Sequence, residues 1–118
     1  MIIQNHRDMV KALVKNPQEI CENLDHFKVD VLHAILGIGS EAGELVDNVK
    51  RLIVYNKSPD IENIIEELGD LEFYMEQLRQ VLDITREQTL QANIEKLAKR
   101  YPNFVYTDQK ALERADKV

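Results

Sequence analysis

From Phe27 to Tyr55 the chain carries no proline, and its apolar residues are spread around most of a helical wheel. At ~100° per residue, Val31, Leu32, Ala34, Ile35, Leu36, Ile38, Leu45, Val46, Val49, Leu52 and Ile53 leave only one polar sector, about 120° wide. A surface helix of a globular domain needs an apolar stripe of only ~100°. A helix apolar over so much of its circumference has to be covered from several sides. It therefore predicts burial in a helical bundle and, beyond that, against a partner subunit.

The same pattern organises the rest of the chain. Residues 2 to 15 place Ile2, Ile3, Met9, Val10, Leu13 and Val14 at helical spacing, ending at Asn16-Pro17. Residues 18 to 26 read as a short helix or turn. NKSPD at 56 to 60 has turn chemistry. A further helix is predicted from about Asp60 to Leu82, with Ile61, Ile64, Ile65, Leu68, Leu71, Met75, Leu78 and Leu82 as its core stripe. Thr85 with Gln88 three residues later is a capping-box pattern, which starts a last long helix over about 86 to 100, stopped at Tyr101-Pro102. From Asn103 the tail is short and polar, with a partly helical stretch around 108 to 116. Four helices with short connections predict an all-α fold, an antiparallel four-helix bundle. There is no βαβ pattern and no glycine-rich phosphate loop.

The length of 118 residues fits one domain over residues 1–118. A formal net charge of −6 argues against nucleic acid as a partner, since phosphate backbones need a concentrated basic surface. The single cysteine, Cys21, excludes an internal disulfide and fits a reducing compartment. Its acidic neighbours Glu22 and Asp25 do not favour a thiolate. No apolar run approaches the ~20 residues of a membrane span. The N-terminus lacks the build of a signal peptide. The expectation is a cytoplasmic protein with no membrane partner.

The polar sector of the long helix holds His33, Gly37, Ser40, Glu41, Glu44, Asp47, Asn48 and Arg51. Glu41 and Glu44 lie three residues apart, so they are neighbours on a helix and repel. The next long helix repeats the arrangement with Glu67 and Asp70 in IIEELGDLEFY, while Glu66 falls on the opposite, solvated flank. Antiparallel packing can bring the two pairs face to face. Four partly buried carboxylates are very costly unless a cation sits among them. Oxygen-only ligands suit Mg²⁺, with Mn²⁺ as a substitute. Gly37 is expected to clear space for a ligand, and Gly43 and Gly69 to permit close helix approach.

On the last helix Asn93, Lys96 and Arg100 form a row beside the core stripe of Leu90, Ile94, Leu97 and Tyr101. Donors in a row suit phosphate oxygens. The alternative is a basic helix end complementing the macrodipole. His33 faces the site sector without a second His or Cys at ligand spacing, so a hydrogen-bonded structural role competes with substrate binding. Tyr74 reads as packing. A ferritin-like di-iron bundle needs Glu-x-x-His on two helices, and the chain has none.

LHAILGIGSEAGELVD, IIEELGDLEFYMEQL and NIEKLAKRYPNF resemble the MazG-like all-α nucleotide pyrophosphohydrolases, over roughly residues 30 to 104. The combination of the three is far more specific than any one motif. The resemblance implies a hydrolase that cuts nucleoside triphosphates, (d)NTPs, between the α and β phosphates. Glu41, Glu44, Glu67 and Asp70 would hold Mg²⁺, and Asn93 and Lys96 would bind substrate phosphates, with Arg100 and His33 as additions. One of the glutamates, Glu41 or Glu44, would orient the attacking water, and Lys96 would stabilise the leaving pyrophosphate. It also implies a homodimer or a homotetramer built as a dimer of dimers. Some relatives carry an acid where this chain has Ser40, which leaves the number of metal ions and the general base open. Alternatives are a related dUTP, dUDP or phosphoribosyl-ATP hydrolase with the same metal site, or a non-catalytic helical interaction module.

Overall fold

The computed structural model describes residues 2–117, and these form helices and connecting turns only. In chain order they are α1 (His6–Leu13), α2 (Pro17–Glu22), α3 (His26–Val54), α4 (Ile61–Leu82), α5 (Arg86–Arg100) and α6 (Asp108–Glu113), with 3-10 turns at Pro102–Phe104 and Ala115–Lys117. The helix starts are set by side chains that satisfy otherwise orphaned backbone N–H groups. Asp25 accepts from the Lys28 N–H at 2.9 Å and Asp60 from the Asn63 N–H at 3.1 Å. Thr85 and Gln88 form the expected reciprocal box, at 3.0 and 2.7 Å. The first helix is shorter than its apolar spacing predicts. Asn5 caps it, and Val14 is already extended.

The long helices lie where periodicity places them, and α3 and α4 pack as an antiparallel hairpin. Three contacts fix its register. Near the turn, the Asn63 side-chain amide donates to the Asn48 carbonyl oxygen at 2.8 Å. In the middle, the Tyr74 ring lies against Gly37. Further along, the Gln77 amide nitrogen meets His33 Nδ1 at 3.3 Å. Ala34 and Gly37 are buried at this seam. Ile38, Leu45 and Leu52 from α3, and Ile64, Leu71, Met75 and Leu78 from α4, are half-buried around them. Arg79 is buried beside Glu76 and Glu72, at 3.0 and 3.8 Å.

Much of the apolar wheel of α3 stays uncovered in a single chain. Val46 is 67% exposed, Ile53 73% and, from α4, Ile65 63%. The helix α5 packs mainly on the tail, through the turn at Pro102–Phe104, α6 and the turn at Ala115–Lys117. The accessible surface is 9829 Å², against about 6,600 Å² for a compact monomer of this mass. The radius of gyration is 20.3 Å, against about 13.5 Å for a compact chain of this length. Among the described residues no helix is long and apolar enough to cross a membrane.

Candidate metal centre

The hairpin brings both acidic pairs to one place. Position 41 lies one turn beyond Gly37, and position 70 lies one turn before Tyr74. The contact of Gly37 with Tyr74 therefore aligns Glu41 with Asp70, and Glu67 comes from the preceding turn of α4. Glu41, Glu67 and Asp70 each present an oxygen, all within 4.8 Å of one another. Glu44 adjoins this cluster through Glu67 and lines a cavity of about 470 Å³ together with Ser40, Asp47, Asn48, Arg51, Asn63 and Glu67. On the other side of the cluster, Glu41, Asp70, Phe73 and Tyr74 line a smaller cavity of about 290 Å³.

The acids of the cluster raise one another's proton affinity. Enclosure pushes the Glu67 carboxyl up to about 7, helped by the closeness of the Glu44 and Glu41 carboxyls and by their charge. Enclosure also raises Glu41, and the charges of Glu44 and Asp70 add to the effect against a lowering contact with Glu67. One oxygen of Glu41 and one of Glu67 are buried without a hydrogen-bond partner. Buried carboxylate oxygens are normally paired. Two orphaned ones, side by side and among further acids, fit a divalent cation with a preference for oxygen ligands.

The glycines do other work than the wheel predicts. A Cβ at position 37 would fall inside the Tyr74 ring, so Gly37 makes room for packing and not for a ligand. Gly43 and Gly69 face open space, with no atom within 4 Å of an added Cβ, so neither serves a close helix approach within this chain. Tyr74 packs, as its edge position predicts. His33 is exposed, with its Nδ1 against Gln77 and its ring edge-on to Tyr74 at 5.9 Å.

The row on α5 lies with the tail. Asn93 and Lys96 are exposed. Arg100 is held by Asp116, Nε to Oδ1 at 2.7 Å and a terminal nitrogen to Oδ2 at 3.2 Å. Sequence reasoning did not anticipate Asp116, which sits in a polar tail with no motif around it. It also missed the Asn48–Asn63 bond. Asn48 was visible in the polar sector of α3, but its partner required the hairpin register.

The model of the family described as MazG nucleotide pyrophosphohydrolase domain matches residues 30–105 of the chain, which takes in the acids of α3 and α4 and the row on α5. Comparison with curated proteins gives no match, and neither does comparison with solved structures.

Proposed function

Since the chain belongs to the MazG nucleotide pyrophosphohydrolase family, we propose that it is a Mg²⁺-dependent hydrolase of nucleoside triphosphates. It adds water across the α–β phosphate bond and releases the nucleoside monophosphate and pyrophosphate. The observation that carries this reading is the convergence of Glu41, Glu67 and Asp70 within 4.8 Å, with unpartnered oxygens on two of them.

In this reading Glu41, Glu67 and Asp70 hold the cation, and Glu44 completes the ligand set or works beside it. A bound divalent cation would supply charge neutralisation along the phosphate chain and a more acidic water. Glu44 faces the larger cavity next to Glu67, where it can orient the attacking water and accept its proton. Asn93 and Lys96 meet the phosphates, and Lys96 offsets charge on the leaving pyrophosphate.

The assembly we propose is a homodimer or a dimer of dimers, in which hairpins from two copies close a four-helix bundle. Supporting it is about 3,200 Å² of surface per chain beyond that of a compact monomer, more than the roughly 1,000 to 2,500 Å² per partner that obligate interfaces commonly bury. The uncovered Val46, Ile53 and Ile65 are its natural contacts. In one chain α5 packs on the tail, so in this reading assembly has to bring the α5 row to the acids.

The test is product analysis on a panel of canonical and modified NTPs and dNTPs, with dUTP, dUDP and phosphoribosyl-ATP included, in Mg²⁺ and in EDTA. Monophosphate plus pyrophosphate, formed only with metal, is the expected result, and the ranking names the substrate. Orthophosphate release would move the cleavage point and sink the mechanism. No turnover of any nucleotide would favour the non-catalytic module.

A further inference from the structure

Asp116 lies in the turn at Ala115–Lys117, and its side chain is only 3% exposed. It gives both oxygens to Arg100, at 2.7 and 3.2 Å, in the forked geometry that guanidinium offers to carboxylate and phosphate alike. Arg100 itself is 16% exposed. Lys96, one turn earlier on α5, lies close enough for its charge to help hold the Asp116 carboxyl below the ordinary carboxylate range, an effect led by Arg100. The carboxylate thus sits on Arg100, with Lys96 one turn earlier on the same helix.

Apart from Asp116, the segment rests on α5 with side chains that are at most half-buried, and Leu112 is 84% exposed. Tyr101 and Tyr106 touch at 5.6 Å between ring centres, further up the tail. A short segment without a buried apolar side chain opens at low free-energy cost. Its ion pair is made to Arg100, a cation that a polyphosphate, with more charge and more acceptor oxygens, would bind better.

We propose that Asp116 is an internal anion that closes the Arg100–Lys96 site, and that a pyrophosphate or nucleotide polyphosphate displaces it and frees the C-terminal turn. Asp116 then sets how readily phosphate is bound, without touching the reacting atoms. The ligand class rests on the hydrolase reading, so the test avoids turnover.

The experiment is amide hydrogen exchange on the intact protein in EDTA, with sodium pyrophosphate or with chloride at equal ionic strength. Calorimetry measures pyrophosphate affinity in parallel. In the closed state the Lys117 N–H donates to the Arg114 carbonyl at 2.8 Å and the Arg114 N–H to the Lys110 carbonyl at 3.2 Å. Displacement predicts that pyrophosphate speeds exchange of both amides about tenfold, as expected for release of a weakly held end. Asp116→Asn should bind pyrophosphate about 3- to 10-fold tighter, because no fraction of the site is closed. Asp116→Glu should keep the affinity of the natural chain. Pyrophosphate that binds while leaving both amides unchanged or slower would overturn the proposal. So would a lack of pyrophosphate binding, or an Asp116→Asn affinity that is equal or weaker. A chain that released its tail but hydrolysed no nucleotide would defeat the hydrolase reading alone. An active hydrolase with a fixed tail would defeat this proposal alone.

Discussion

The ring of Tyr74 occupies the space that a side chain on residue 37 would need, and this contact lies one helical turn from both Glu41 and Asp70. Packing and the geometry of the acid cluster are therefore coupled through α3 and α4. Gly37→Ala forces the ring out of the seam. Overpacking of this kind typically costs about 1–3 kcal/mol. Thermal unfolding should show a clear loss of stability, and the double variant Gly37→Ala, Tyr74→Ala should show less loss than the sum of the two single changes. Full additivity would mean that the two residues do not share one packing site.

The acid cluster should weaken the metal-free protein as pH rises. The Glu67 carboxyl lies at about 7 in the folded chain against an ordinary value of 4.5. A carboxyl raised on folding favours the folded state below its unfolded value, and that stability is lost as pH rises through the folded value. In EDTA the unfolding temperature should therefore fall between about pH 4.5 and pH 7. Mg²⁺ should raise it more at pH 8 than at pH 5, since binding requires the ionised carboxylates. A metal response independent of pH would contradict this.

Glu67→Gln removes the most perturbed charge of the cluster. In EDTA at pH 8 the variant should unfold at a higher temperature than the natural chain, because repulsion is relieved. It should also lose at least ~100-fold in turnover, given that even outer partners of metal ligands are worth 10- to 100-fold. Glu44→Gln should lose turnover comparably while the protein still folds and assembles. Full activity in either variant would show that the residue is not part of the site.

The uncovered face of α3 should hold copies together. Light scattering is expected to give a multiple of the 13.7 kDa chain mass. Val46→Asp, which places a charge on a side chain 67% exposed in the single chain, should shift the mass toward one chain and lower stability. A natural chain that stays monomeric at micromolar concentration would rule the assembly out.

What could be read in the sequence divides along a physical line. Helix positions and caps are local. Apolar periodicity therefore locates α3 and α4 closely, and Thr85 with Gln88 locates the start of α5. The acids were legible because charge inside an apolar pattern is expensive wherever the chain folds. A helical wheel gives angles and not neighbours, which is why Gly37 was expected to face a ligand and instead receives Tyr74. For the same reason Gly43 and Gly69 were expected at a close helix contact that one chain does not make. Arg100 reads equally well as a phosphate ligand or a helix-end charge. Only tertiary structure shows a carboxylate on it, from a tail whose sequence gives no sign of that role.

The most direct measurement is Mn²⁺ binding followed by electron paramagnetic resonance, comparing the natural chain with a Glu41→Gln, Glu67→Gln variant of matched helical content. The free-ion signal should fall as the natural chain takes up Mn²⁺, and the variant should leave it nearly unchanged. Equal uptake by both would place the cation elsewhere and contradict the central claim that α3 and α4 meet to form its site.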